Sequence, residues 1–128
     1  MYEAKSFKVT QYAWIVARYR LSYMDMQTGA TLYTSESGDV LLNQEFVRSA
    51  QDWGVPDGAI CRPEIREVPT GGWVPANYSF MAVYASQQAA PYRSDGTVFS
   101  YSITAVWPAT SGAAYEAIER RFVESCRK

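Results

Sequence analysis

The chain has 128 residues and a formal net charge of −1, with 48% hydrophobic and 20% charged residues. This size and composition exclude a disordered chain, and we expect residues 1–128 to form one globular domain. The near-zero charge excludes an overall basic field that could hold duplex nucleic acid or an anionic membrane.

The first part of the chain predicts a strand pair. Residues 2–9 alternate weakly, and residues 13–23 alternate strongly between two faces, with the β-branched and aromatic side chains that favour a strand. Residues 25–29 end in Gly29 and predict a hairpin loop, after which residues 30–35 return as the partner strand.

A helix is predicted between Asn43 and Gly54. Asn43 is a suitable N-cap residue, and Gly54 followed by Pro56 is typical of a helix end. The apolar residues between them fall at helical spacing, which predicts a helix packed on a sheet. They are Phe46, Val47, Ala50 and Trp53.

The second part of the chain repeats this order. Residues 59–67 contain a proline and predict an edge strand at best. Residues 77–85 and 97–107 alternate clearly and predict a second strand pair, joined by a long loop over residues 86–95. Pro108 ends the last strand, and a C-terminal helix is predicted after it. Its apolar stripe is Tyr115, Ile118, Phe122 and Cys126.

The order of elements is therefore ββα-ββα. It predicts an α+β fold, with a single antiparallel sheet of about five to six strands and two helices packed on one face.

Catalytic chemistry is restricted by the absence of His from the chain. Ser-His-Asp and Cys-His arrangements and imidazole metal sites are excluded, and no Gly-rich phosphate loop is present. We therefore predict a protein that is not an enzyme and has no cofactor and no metal. A carboxylate enzyme built on Asp25 or Asp95 is a further alternative, although each Asp also fits a turn.

Aromatic and Arg residues point instead to a contact surface. The chain has ten Tyr and four Trp, and Arg outnumbers Lys. Trp73 follows two glycines, and Tyr92 and Arg93 lie near the tip of the predicted loop. Because Trp, Tyr and Arg dominate binding hot spots, we predict that these three residues contact a partner. Packing of Trp73 over a sheet edge is the alternative.

Arg18 and Arg20 share one face of the predicted strand with Trp14. Arg beside an aromatic residue on an exposed sheet can hold single-stranded nucleic acid, but that needs several cations together. Pairing with carboxylates such as Glu3 is the favoured alternative. We include both Arg residues among the candidate partner-binding residues.

The leading hypothesis is a small non-catalytic protein-binding domain, such as an inhibitor, an immunity-type partner or an assembly subunit, with homo-oligomerisation as one possible form. The alternative is a small-molecule-binding domain with an aromatic pocket between the sheet and the helices. The candidate pocket residues are Tyr19, Tyr23, Tyr84, Tyr101 and Trp107.

Three features of the sequence bear on location and redox state: its apolar runs, its first residues and its two cysteines. No apolar run reaches the roughly 18 residues of a membrane-spanning helix, and we expect no membrane insertion. Met1-Tyr2-Glu3 does not begin a signal peptide, so we expect a cytoplasmic protein, with a secreted or periplasmic protein whose signal peptide has been removed as the alternative. Cys61 and Cys126 are expected to be free thiols, with a disulfide as the other possibility.

Overall fold

Residues 1–107 are described by the computed structural model, and within this range the chain forms ten strands in two sheets. The strands are β1 (Glu3–Ala4), β2 (Ser6–Gln11), β3 (Ala17–Met24), β4 (Thr31–Tyr33), β5 (Glu45–Ser49), β6 (Ile60–Glu67), β7 (Val74–Pro75), β8 (Phe80–Ala82), β9 (Ala89–Thr97) and β10 (Ser100–Ala105).

Both sheets mix parallel and antiparallel pairs. The six-stranded sheet has the order β1-β8-β6-β3-β4, and β7 pairs with β6 beside this path. The four-stranded sheet has the order β10-β9-β2-β5. Among these strands, β1 pairs with β8 and β2 with β9 in parallel, and the remaining pairs are antiparallel.

Alternating side chains in β3 build the six-stranded sheet as the sequence predicts. Tyr19 and Leu21 are fully buried, whereas Arg18 and Arg20 between them lie on the outer face and are half-buried. The hairpin after β3 is also confirmed, because Gly29 has a φ of 75° and its N–H donates to Asp25 O. The return strand, predicted over residues 30–35, is the short β4.

The core is aromatic and lies between the sheets. The ring of Phe7 in β2 is 5.8 Å from that of Tyr19 and 5.6 Å from that of Tyr92, measured between centroids. Phe80 contacts Tyr92 from the six-stranded sheet, at 6.3 Å. Tyr19 Oη also lies 2.7 Å from Ser94 Oγ of β9, so a buried hydrogen bond joins the two sheets.

The predicted α+β fold with a single antiparallel sheet is wrong, because residues 1–107 contain no helix and form two sheets that mix parallel and antiparallel pairs. The segment predicted as a helix between Asn43 and Gly54 begins as β5 and continues into a single hydrogen-bonded turn, in which Trp53 N–H donates to Ser49 O. Asn43 has a φ of 68°, a left-handed conformation that an N-cap residue does not adopt. In β5 the side chains alternate with a period of two, and Phe46 packs toward the core.

The loop predicted over residues 86–95 is also wrong. Most of it belongs to β9, which pairs with β2 on one side and with β10 on the other. Strand β10, predicted over residues 97–107, therefore pairs with β9 and not with residues 77–85, which contribute only β8 to the other sheet. Val98 and Phe99 lie in the turn between β9 and β10.

The edge position predicted for residues 59–67 is wrong as well. This segment contains β6, which lies inside the six-stranded sheet between β3 and the two strands β7 and β8. Pro63 is tolerated because its carbonyl accepts the N–H of Ala76, on the side away from β3. The missing N–H of Pro63 faces the same side and leaves the ladder with β3 intact.

Two further predictions concern the cysteines and the end of the chain. Cys61 is a free, fully buried thiol whose pKa is raised by that burial. Cys126 and the predicted C-terminal helix lie outside the described residues. In the range 1–107, no helix is long and apolar enough to cross a bilayer.

Candidate functional site

An open cleft lies on the outer face of the six-stranded sheet, with a volume of about 640 Å³. We call it the Arg20 cleft. Strand β3 contributes Arg20, strand β6 contributes Arg66, and the segments after β4 and β6 form the walls. Its lining residues are Arg20, Thr34, Ser35, Glu36, Arg66, Gly71 and Trp73.

Arg20 is fixed by one carboxylate and two aromatic rings. Its Nε lies 2.7 Å from Glu64 Oε1, one strand away in β6. The guanidinium carbon lies 4.0 Å from the ring centroid of Tyr33 and 4.2 Å from that of Trp73. Cation–π contact with two rings orders this side chain, because rotation of the guanidinium would give up both contacts.

Glu36 connects two further Arg residues at the cleft. Arg66 Nε donates to Glu36 Oε1, and Arg18 Nη1 lies 3.9 Å from Glu36 Oε2. The hydrogen bond from Arg66 is the main reason that the pKa of Glu36 is lowered. Arg18 also pairs with Asp39 at 2.7 Å, which raises the pKa of its guanidinium. The charges at this face are therefore mutually paired.

Trp73 is positioned by the segment that follows β6. Val68 N–H donates to Val16 O, Gly71 N–H donates to Glu67 O, and β7 then pairs with β6. A Cβ atom at Gly71 would lie 2.7 Å from the Cβ atom of Glu67, so only glycine allows this close approach. The tight return places the Trp73 ring beside Arg20.

The five candidate partner-binding residues are separated by the structure. Arg18, Arg20 and Trp73 lie together on the outer face of the six-stranded sheet. Arg93 lies on the outer face of the other sheet, where it pairs with Asp95 at 2.8 Å. Tyr92 is buried between the sheets, so the prediction that it projects from a loop tip is wrong.

Tyr33, Glu36 and Arg66 were not identified from the sequence. The alternation of Glu64 and Arg66 in β6 matches that of Arg18 and Arg20 in β3, and it could have indicated a second charged row on the same face. Tyr33 and Glu36 lie at the end of β4 and beyond it, where no sequence pattern indicated a contact with Arg20 or Arg66.

The residues of the alternative aromatic pocket do not line one cavity. Tyr19 fills the core, and desolvation raises the pKa of its buried phenol. Tyr84 Oη donates to Val55 O, Tyr101 Oη donates to Gly72 O, and the Trp107 ring stacks on Tyr2 with centroids 4.4 Å apart. The half-buried Tyr23 pairs with Cys61 and Leu32 in the sheet.

The two carboxylates considered for catalysis lie in turn or ion-pair contacts. Asp25 Oδ1 accepts the N–H of Gln27 at 2.9 Å, and this bond lowers the pKa of Asp25. Asp95 accepts two hydrogen bonds from Arg93, each 2.8 Å long. No group of three or more His, Cys, Asp or Glu suited to a metal ion occurs in the described part of the chain.

No family model and no curated protein matches the sequence. Several solved structures show a distant likeness. The membrane-binding domain of pneumolysin has a TM-score of 0.44 and 12% identity, over 81% of this chain and 96% of that domain. Listeriolysin O has a TM-score of 0.44 and 10% identity, over 81% of this chain and 22% of the listeriolysin O chain. A non-hemolytic pneumolysin from Streptococcus pneumoniae has a TM-score of 0.44 and 12% identity, over 81% of this chain and 23% of the pneumolysin chain. At these values the likeness carries no argument about function.

Proposed function

We propose that this protein is a non-catalytic protein-binding domain and that the Arg20 cleft contacts the partner. The observation that carries the proposal is the stacking of Arg20 between Tyr33 and Trp73 at an open surface. Arg, Tyr and Trp are the residue types that contribute most to protein–protein affinity, above all when their side chains are already ordered.

The ion pairs of the cleft support a partner that presents a carboxylate. Glu36 is exposed and contacts both Arg18 and Arg66, so a partner carboxylate that displaces Glu36 accepts hydrogen bonds from the same two guanidinium groups. The Tyr33 ring, which is about half-exposed, and the half-buried Trp73 ring would supply the apolar contact area. An acidic side chain next to an apolar one is therefore the feature that we expect in the partner.

Quantitative capture from a lysate of the source organism tests the proposal. Trp73→Ala combined with Tyr33→Ala removes both rings, whereas Tyr12→Ala is the matched control. The Tyr12 ring also stacks on an Arg, with the Arg93 guanidinium carbon 4.8 Å from its centroid, but on the other sheet. We expect the wild type and the control to retain one stoichiometric protein, and the cleft variant to lose it about tenfold or more.

Equal retention by the cleft variant would contradict the proposal, and so would the absence of any stoichiometric partner. Loss of the partner with Tyr12→Ala alone would move the binding site to the other sheet. Thermal melts of each variant show whether the fold is preserved. We expect both variants to fold, because Tyr33 and Tyr12 are about half-exposed and the half-buried Trp73 lines the open cleft outside the core.

A further inference from the structure

Three turns meet at one end of the four-stranded sheet. The first turn follows β2, and the second joins β9 to β10. These two turns are linked because Trp14 N–H donates to Gly96 O. The third precedes β5, where Asn43 N–H donates to Gln11 O and Gln11 N–H donates to Gln44 O. The three turns are therefore hydrogen-bonded neighbours and form one surface.

Large apolar side chains project from this surface. Phe99 is 95% exposed and Trp14 is 72% exposed, which are the two highest values among the large hydrophobic side chains of the described residues. Three other exposed apolar side chains lie on the same turns. We call the five residues the apolar apex: Tyr12, Trp14, Leu41, Val98 and Phe99.

The apex carries no charge. Residues 12–16, 40–44 and 97–100 include no Asp, Glu, Lys or Arg. Charged residues flank these turns, and each is paired: Asp39 with Arg18, Glu45 with Lys8, and Asp95 with Arg93. The Arg93 guanidinium carbon also lies 4.8 Å from the ring centroid of Tyr12, at the edge of the apex. Burial of this surface in an apolar layer therefore requires little desolvation of charged groups.

The turns of the apex are held from beneath. Gln11 is fully buried, and its side-chain oxygen accepts hydrogen bonds from Ala13 N–H and Ser94 Oγ. Its Nε2 donates to Ile15 O at 2.9 Å, which closes the turn that carries Trp14. The exposed Trp14 ring therefore lies on a turn that the buried Gln11 side chain holds in place.

We propose that the apolar apex inserts into the interfacial layer of a lipid bilayer, in which zwitterionic phosphatidylcholine is sufficient. The expectation of no membrane insertion rested on a spanning segment and a basic field, and neither is required for contact at this depth. Trp and Tyr rings favour the boundary between headgroups and acyl chains, and Phe can reach the apolar side of it. Since the apex has no Lys or Arg, anionic lipid is not needed.

A lipid surface fits the apex better than a protein partner does. The apex offers five uncharged side chains on three turns, and residues 12–16, 40–44 and 97–100 hold no charged group that could pair with a protein partner. These side chains project outward from the end of a sheet, and a soft layer can surround them without a complementary pocket. None of the five residues lines the Arg20 cleft, so the two proposals can be tested separately.

Co-flotation of the purified protein with phosphatidylcholine vesicles tests the proposal. The test variant is Trp14→Ala with Phe99→Ala. The matched control is Met26→Ala with Leu32→Ala, because these side chains are also exposed (68% and 41%) but lie at the opposite end of β3. We expect the wild type and the control to float with the vesicles, and partitioning of the apex variant to fall about tenfold or more.

Two further comparisons strengthen the test. Partitioning should be unchanged by high salt and by the addition of phosphatidylserine, since no charge pairing is involved. Absence of wild-type binding to phosphatidylcholine would overturn the proposal, and so would equal binding by the apex variant. Binding that needs phosphatidylserine and is lost in high salt would also overturn it. A wild-type dimer in solution that the apex variant dissociates would assign the apex to protein contact instead.

Discussion

Arg20 and Glu64 form the least exposed ion pair of the cleft. The side chain of Glu64 is 11% exposed and that of Arg20 is 21% exposed. Removal of Arg20 leaves a carboxylate in a site with little access to water, and such a group is costly to leave unpaired. The Arg93–Asp95 pair is a useful contrast, because both of its side chains remain about half-exposed.

We therefore expect Arg20→Ala to lower the free energy of unfolding by about 2–3 kcal/mol, through the unpaired Glu64 and the lost ring contacts. Arg93→Ala, the exposed control, should change it by less than about 1 kcal/mol. Urea unfolding followed by circular dichroism measures both values. Equal effects would show that Glu64 remains well hydrated in the folded protein.

The hairpin formed by β9 and β10 depends on one glycine. Gly96 has a φ of 117°, and a Cβ atom there would lie 2.1 Å from Ser100 O. Any other residue must therefore adopt an unfavourable backbone conformation and also displace the opposite strand. This turn carries Val98 and Phe99, so its geometry sets the shape of the apolar apex.

Gly96→Ala should cost about 2–3 kcal/mol in the free energy of unfolding and shift the amide signals of the β9–β10 turn. Gly38→Ala is the matched control, since no atom lies within 4 Å of the added Cβ and its φ lies outside the left-handed region. It should be nearly neutral. Denaturant titration with two-dimensional NMR separates the two outcomes, and a neutral Gly96→Ala would rule out the close approach to Ser100.

Elements were predictable from the sequence where one face is apolar and the other is polar. Strand β3 follows this rule, because Arg18 and Arg20 alternate with buried side chains. In β5, the spacing of Phe46, Ala50 and Trp53 fits a helix as well as a strand followed by one turn, and only pairing with β2 decides between them. Strand β9 was hidden by turn-forming residues such as Pro91.

The candidate site was predictable by residue type more than by position. Arg18, Arg20 and Trp73 were selected for their chemistry, and they meet at the cleft. Tyr92 was selected for the same reason, but burial depends on long-range strand pairing that a local pattern does not contain. The apolar apex was missed because its residues come from three separate turns.

The two sheets of the molecule are coupled by the buried hydrogen bond between Tyr19 and Ser94. Burial raises the pKa of Tyr19 above that of a free phenol. The neutral form is therefore favoured in the folded state, and its contribution to stability is complete below the pKa of the unfolded chain. It decreases as pH rises above about 10, because the phenol of the unfolded chain then ionises.

Tyr19→Phe should lower the free energy of unfolding at neutral pH by about 1 kcal/mol, through the lost hydrogen bond. It should also reduce the loss of stability at alkaline pH. Tyr33→Phe changes an exposed hydroxyl and is the control. Urea titrations on both sides of pH 10 give the comparison, and an identical alkaline profile for wild type and Tyr19→Phe would contradict burial of this phenol.

Hydrogen–deuterium exchange of the protein, alone and saturated with its captured partner, shows which face of the molecule binds the partner. If the Arg20 cleft binds the partner, protection should increase in residues 31–36 and 66–73, while residues 91–94 on the other sheet stay unchanged. Protection of residues 91–94 with none at the cleft would show that the partner does not bind the Arg20 cleft and would place it on the opposite face of the molecule.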